Sequence, residues 1–304
     1  MIEVEACLYP NPPLEGATLT DIWGNAYPMR NEPFLELALR GLSPGDYTVE
    51  LLLPARLKRS FEASSSCEVL FFTHPAFADP GLAEVTARVR RVRSVEEFSL
   101  PLSTHKLTGR VRDFQGRPFP AYVWAVNDSD SPQAIVRTDE EGRFVLWYPE
   151  GKPLRVFIDD ESYSKTTYEC WIISPGLKAD VRIEPRVGNL EVWGLHVWRT
   201  ELHWHVYFWP CSLPLDLRAK RSGREFTAPR LKKEEITVRI DGEEVPILGL
   251  HQLKVRISGG RVHTAYLLDL PLHREGPHLC RPTLIQVEVH TATRGCGEGW
   301  YIAW

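Results

Sequence analysis

Along this 304-residue chain the apolar residues alternate with polar ones in short runs, and Pro or Gly breaks the pattern before any run grows long. The 24 Pro and 21 Gly are spread along the sequence, which leaves no room for long helices. Strict alternation suits a strand with one buried face, because successive side chains point to opposite sides of a sheet. The 32 aromatic residues sit mostly in these runs, where a pleated surface accommodates rings. The pattern predicts an all-β chain.

Ile2, Val4 and Ala6 alternate with Glu3 and Glu5 in an opening strand. Pro44-Gly45 reads as a turn feeding Tyr47, Val49 and Leu51, and further strands fit 67–73 and 98–102. Residues 79–93 fit helical spacing (Leu82, Val85, Val89, Val92) and strand alternation (Val85, Ala87, Val89), and their β neighbours favour the strand. In the middle of the chain, strands at 107–112, 121–126, 144–148 and 154–158 recur roughly every ten residues between turn signals, the rhythm of a β-sandwich. Asp21-x-x-Gly24 and Asp113-x-x-Gly116, each followed by Pro four residues on, share a turn in which Asp caps its own backbone and Gly takes a positive φ. Beyond 185–190, residues 195–209 form a long aromatic-rich alternating run, and 218–233 a polar stretch. Asp241-Gly242 is a favoured two-residue hairpin turn, with more strands at 253–257, 266–270, 284–289 and 300–304. The expectation is tandem immunoglobulin-like or transthyretin-like β-sandwiches over 1–103, 104–186 and 187–304.

Gly109-Arg-Val-Arg-Asp113, Gly116, Pro120, Thr138-Asp139 and Gly142-Arg-Phe144 make residues 107–158 resemble a carboxypeptidase regulatory-like domain, the transthyretin-like or prealbumin-like sandwich. The resemblance implies a non-catalytic accessory module whose fold extends to about Glu184. It implies nothing about a peptidase, since no peptidase catalytic domain is visible.

A net charge of −4 excludes the global cationic field of a nucleic-acid binder. The longest apolar stretch, around Val69 to Phe72, is too short to enter a membrane, and the first residues lack the basic and apolar regions of a secretory signal. Nucleotide and nucleophile motifs (P-loop, G-x-G-x-x-G before a helix, G-x-S-x-G) are missing.

Eight of the ten His lie in the last third, at 196, 203, 205, 251, 263, 273, 278 and 290. His203 and His205 are two apart on a strand and share a face, so they could begin a zinc site with a third ligand from His251, His263 or His290. Packing among Trp204, Tyr207 and Trp209 is the better explanation of the pair. Asp128, Asp130 and Asp159 lie in acidic clusters at loops of the middle sandwich, where oxygen ligands could hold calcium, although solvated turns have the same composition. The run Arg88-Val-Arg-Arg-Val-Arg93 fits either a polyanion or a charged strand face. Asn127-Asp-Ser129 matches a glycosylation acceptor. Of six Cys, Cys7 and Cys67 are the natural intradomain disulfide candidates, and buried thiols are the alternative.

No cofactor is required by any of this. The leading expectation is a non-enzymatic structural or assembly subunit of a virion (phage tail or capsid accessory) or of a cell-surface filament, self-associating by exchange of terminal strands at 1–8 or 300–304. The expected location is a virion or an extracellular surface, with the cytoplasm as the alternative. A second expectation is a glycan- or polymer-binding module using Trp198, Trp204 and Trp209. A third is a metal-dependent hydrolase centred on His203 and His205.

Overall fold

The computed structural model describes residues 2–12, 14, 19–20, 26–27, 32–92, 94–126, 132–160, 162–222, 228–256, 262–272 and 281–304. Asp21, Gly24, Arg93, the Asn127–Ser129 acceptor with Asp128, Asp130, His273, His278 and Cys280 lie outside them. Among the described residues the chain is all-β, a series of sandwiches, with a single α-helix.

The first sandwich is built from β1 (Glu3–Tyr9), β2 (Phe34–Arg40), β3 (Gly45–Leu53), β4 (Leu57–Ala63), β5 (Cys67–Thr73), β6 (Glu84–Arg91) and β7 (Ser94–Pro101). Its sheets run β1-β2-β5 and β4-β3-β6-β7. Leu8, Leu35, Leu37, Val49, Leu51, Phe77 and Val89 fill the space between them. The ambiguous stretch at 79–93 is strand from Glu84, because Val85, Ala87 and Val89 all enter this core and both neighbours offer hydrogen bonds. Its arginines face outward, where Arg88 meets Glu97 at 2.8 Å and Arg91 donates to the Pro44 carbonyl at 3.0 Å. The described part of the basic run is thus a strand face on which Arg88 and Arg91 are paired.

The expected Cys7–Cys67 disulfide is absent, and both thiols are free. β2 lies between the two strands, with Cys7 opposite Glu36 and Cys67 opposite Arg40. Two strand spacings and four residues put the cysteines about 16 Å apart, against the roughly 7 Å limit for a bridge.

The middle sandwich contains β8 (Thr104–Arg110), β9 (Tyr122–Val126), β10 (Pro132–Arg137), β11 (Arg143–Pro149), β12 (Leu154–Asp159), β13 (Cys170–Ser174) and β14 (Val181–Ile183). Sheet β11-β8-β14 faces β10-β9-β12-β13. The Asp113-x-x-Gly116 turn forms as expected, Asp113 Oδ1 accepting from the backbone of Gln115 and Arg117, and residues 139–142 repeat it, Asp139 Oδ1 accepting from Glu141 and Arg143; Gly116 and Gly142 have φ of 81° and 77°. Gly109 has a packing role, since a Cβ there would lie 2.5 Å from the Ile183 carbonyl oxygen and 2.7 Å from the Phe144 ring. Cys7, Tyr9 and Phe34 of the first sandwich join this second core, so the two units are packed together.

The last third comprises β15 (Leu190–Arg199), β16 (His203–Ser212), α1 (Leu213–Arg221), β17 (Ile236–Ile240), β18 (Glu243–Val245), β19 (Gly249–Arg256), β20 (Val262–Pro271), β21 (Thr283–Thr291) and β22 (Gly295–Ala303). The long aromatic run is a hairpin, β15–β16, broken at 200–202, and part of the polar stretch is α1, capped by the Ser212 hydroxyl with Pro214 in its first turn. Asp241 and Gly242 take φ of 52° and 85°, the conformation their hairpin turn requires.

One sheet, β15-β16-β20-β19, packs over the strands β22-β21-β17-β18, and those four continue through a parallel pairing of β22 with β13 into an eight-stranded sheet shared with the middle sandwich. The chain's last strand is therefore an interior one, paired on both sides. Within the chain Trp300 pairs with Ile172 and Gln286, so residues 300–304 present no open sheet edge. A buried cluster secures the junction. Glu298 accepts from the backbone and guanidinium of Arg186, from Gln286 and from the Trp300 indole at 2.7–2.8 Å, and Arg186 also reaches Glu288 at 2.7 Å. None of the described helices is long and apolar enough to cross a membrane.

An exposed face of histidine and tryptophan

The candidate site lies on the outer face of sheet β15-β16-β20-β19. Alternation along β16 puts Trp204, Val206 and Phe208 in the core and turns His203, His205, Tyr207 and Trp209 outward. Cross-strand register then assembles the outward residues in rows. Trp198, His205, Asp269 and Gly249 lie abreast on the four strands, and His196, Tyr207, Leu267 and His251 form the next row.

At the centre, one carboxylate serves two imidazoles. Asp269 Oδ1 is 2.8 Å from His205 Nδ1 and Oδ2 is 2.7 Å from His251 Nε2. The His251 hydrogen bond, aided by that from His205, holds the Asp269 carboxyl below the usual carboxylate range. With Asp269 ionised and accepting from both rings, His205 is fixed with its proton on Nδ1 and His251 with its proton on Nε2. The other nitrogen of His205 lies 3.4 Å from the Thr200 hydroxyl. Gly249 leaves the space for this arrangement, since a Cβ there would sit 2.5 Å from Asp269 Oδ2 and 2.9 Å from His251 Nε2.

Aromatic rings surround the cluster. Trp198 stacks on His205 at 5.3 Å and 22°, His203 meets His205 edge-on at 6.1 Å, and Trp193 meets Trp209 edge-on at 4.8 Å. The Trp209 indole donates to the Tyr207 hydroxyl, and the Trp209 ring also meets His263 at 6.1 Å. Trp193 and Trp198 remain 37% and 44% exposed, unusual for the side chain with the largest apolar surface.

Of the residues singled out in the sequence, Trp198 and Trp209 lie on this face, but Trp204 does not. It is buried beneath the sheet at 6% exposure, because one residue's shift along a strand exchanges the two faces. His203 and His205 do share the face, yet His205 is engaged by Asp269, and among the described residues no group of three or more His, Cys, Asp or Glu is placed to hold a metal ion. Asp159 is on β12, where its carboxylate accepts from the Trp124 indole at 2.7 Å, and burial pushes it up to about 7.

Asp269, Trp193 and the pairing role of His251 escaped the sequence reading. Asp269 did carry a signal, as the one acidic residue in the apolar run 266–270, but its partners depend on strand order.

Fold and site define an all-β protein of tandem sandwiches with an open aromatic face. No family model matches the chain, and no curated protein matches it. Among solved structures it is similar to the major pilin subunit BcpA of Bacillus cereus (11% identity, 66% of this chain and 69% of that chain, TM-score 0.22). It is also similar to a DUF3823 family protein from Parabacteroides merdae (11% identity, 66% and 98%, TM-score 0.21) and to a bacterial ice-binding adhesin (10% identity, 100% and 96%, TM-score 0.20). Superpositions this shallow carry no inference about activity.

Proposed function

We propose that this chain is a non-enzymatic structural subunit of a surface assembly, a virion or a cell-surface filament, and that it binds glycan on the outer face of sheet β15-β16-β20-β19. The observation that carries the reading is the pair of exposed indoles, Trp193 and Trp198, flanking a polar centre on one rigid sheet. Sugar rings present apolar C–H faces that stack on indoles, and their hydroxyls take hydrogen bonds from neighbouring polar groups. The open geometry suits binding better than turnover, since catalysis relies on excluding water from the reacting atoms. We read the middle sandwich as a carboxypeptidase regulatory-like spacer that fixes this face relative to the first sandwich through shared cores.

A glycan array probed with the wild-type protein and with Trp193→Ala and Trp198→Ala tests the proposal. Signals on a subset of glycans, lost in both variants, support it. An array without signals overturns it.

A further inference from the structure

A bulge in β15 decides which indoles reach this face. On β16, Trp209 and Tyr207 are two residues apart, but their partners on β15, Trp193 and His196, are three apart. The extra residue is taken up beside Gly194, whose φ is 59°. In an unbroken strand Trp193 and Trp198, five residues apart, would point to opposite faces. The bulge turns both outward, 37% and 44% exposed.

The two indoles are then the ends of a row. Trp193 is opposite Trp209 and Trp198 opposite His205, so four residues of β16, a span of about 13 Å, separate the ends. Between them stand His196 and Tyr207, with ring centres 6.4 Å apart. The Tyr207 hydroxyl accepts from the Trp209 indole and keeps its own O–H to donate. Both end indoles are braced by a neighbouring ring. Trp193 meets Trp209 edge-on, and Trp198 lies against His205, which Asp269 holds in turn. His205 covers one face of Trp198, and the exposure of the indole leaves the other to a ligand.

A single pyranose ring is no broader than an indole, so it covers one end of this row and leaves the other bare. Both ends are occupied together only by a chain of several rings. Because the row follows one strand pair, that chain has to run straight. β-1,4-linked pyranoses form an extended ribbon with apolar ring faces exposed, whereas α-1,4-linked ones curl away from a level surface. Resting on the glycan reading, we infer that the ligand is an extended β-1,4-linked polysaccharide that lies along β15 and β16 and stacks on Trp193 and Trp198 at once. Once one indole is engaged the second contact is intramolecular, so the two raise affinity together without either being tight alone. Rings already held in place lower the ordering cost of binding.

Calorimetry on the full chain with cello-, xylo- and chito-oligosaccharides of one to six rings tests this, with maltohexaose as the curled comparison. The hexasaccharide of at least one β-1,4-linked series is expected to bind at least about tenfold more tightly than its monosaccharide and than maltohexaose. Trp193→Ala and Trp198→Ala, with the fold checked by circular dichroism, are each expected to remove that gain. A monosaccharide that binds as tightly as its hexamer, a gain that survives either substitution, equal binding of maltohexaose, or binding confined to other glycans on the array overturns this inference and leaves the glycan reading standing. Absence of binding to every oligosaccharide and every array glycan overturns both.

Discussion

Gly249 holds open the space in which Asp269 meets its second imidazole: a methyl group at Gly249 would intrude to 2.5 Å from Asp269 Oδ2. The two residues are direct cross-strand partners on β19 and β20, so neither can move aside without disturbing the ladder. Replacement by the smallest side chain is therefore expected to separate His251 from Asp269 and leave His205 in place. For Gly249→Ala, ring ¹⁵N shifts of His251 should move while those of His205 stay near wild type, at a stability cost of about 1–2 kcal/mol from local crowding. Unchanged His251 shifts would show that the pair does not need this glycine.

The three tryptophans chosen from the sequence should divide by face. Trp204→Ala empties a fully packed core position and should cost about 3–5 kcal/mol in denaturant unfolding. Trp198→Ala, on the exposed side, should cost less than about 1 kcal/mol while removing ligand binding. Equal destabilisation by both would contradict the alternation of β15 and β16.

Two buried carboxyls make stability fall as pH rises. Burial pushes Asp159 up to about 7 against the opposing hydrogen bond from Trp124, and burial likewise pushes Glu191 up to about 7 against that from Trp171. Their folded values exceed the unfolded ones near 4, so the folded state binds more protons. The stability they contribute is fully present below about pH 4 and is lost as pH rises through 7, on the order of 2–4 kcal/mol for each group. Asp159→Asn and Glu191→Gln should therefore raise the melting temperature at pH 8 and have little effect at pH 4. Asp269 acts oppositely: its depressed value contributes stability above about pH 4 that disappears as pH falls through the folded value. Melting curves from pH 3 to 9 separate the two behaviours.

Removal of residues 300–304 should damage the fold rather than free an edge. These residues pair with β13 and β21, and Ile302 and Ala303 enter the cores on either side of the shared sheet. Truncation before Trp300 should lose several kcal/mol and broaden the unfolding transition. Glu298→Ala should cost about 3–5 kcal/mol by leaving Arg186 half-buried without its main partner. A truncated chain that melts as the wild type does would refute the central placement of β22.

Much of this molecule is written locally. The alternation of Val85, Ala87 and Val89, the Asp-Gly turn at 241–242 and the Asp-x-x-Gly turn at 113–116 each follow from backbone sterics and side-chain period within a few residues, and each formed where the sequence places it. So did the sharing of one face by His203 and His205. What lay beyond reach depended on which strands become neighbours. The helix at 213–221 runs from an apolar segment into the polar stretch at 218–233, and its cap, Ser212, belongs to the preceding strand. Trp204 and Trp198 look alike in the sequence, and only the break at 200–202 and the resulting hairpin register assign one to the core and one to solvent. Asp269 finds His205 sixty-four residues away because β16 and β20 are adjacent, and finds His251 because β19 joins them on the far side. Strand period is a property of the chain by itself; strand order is decided by how the sheets bury their apolar faces together, and the site exists only at that level.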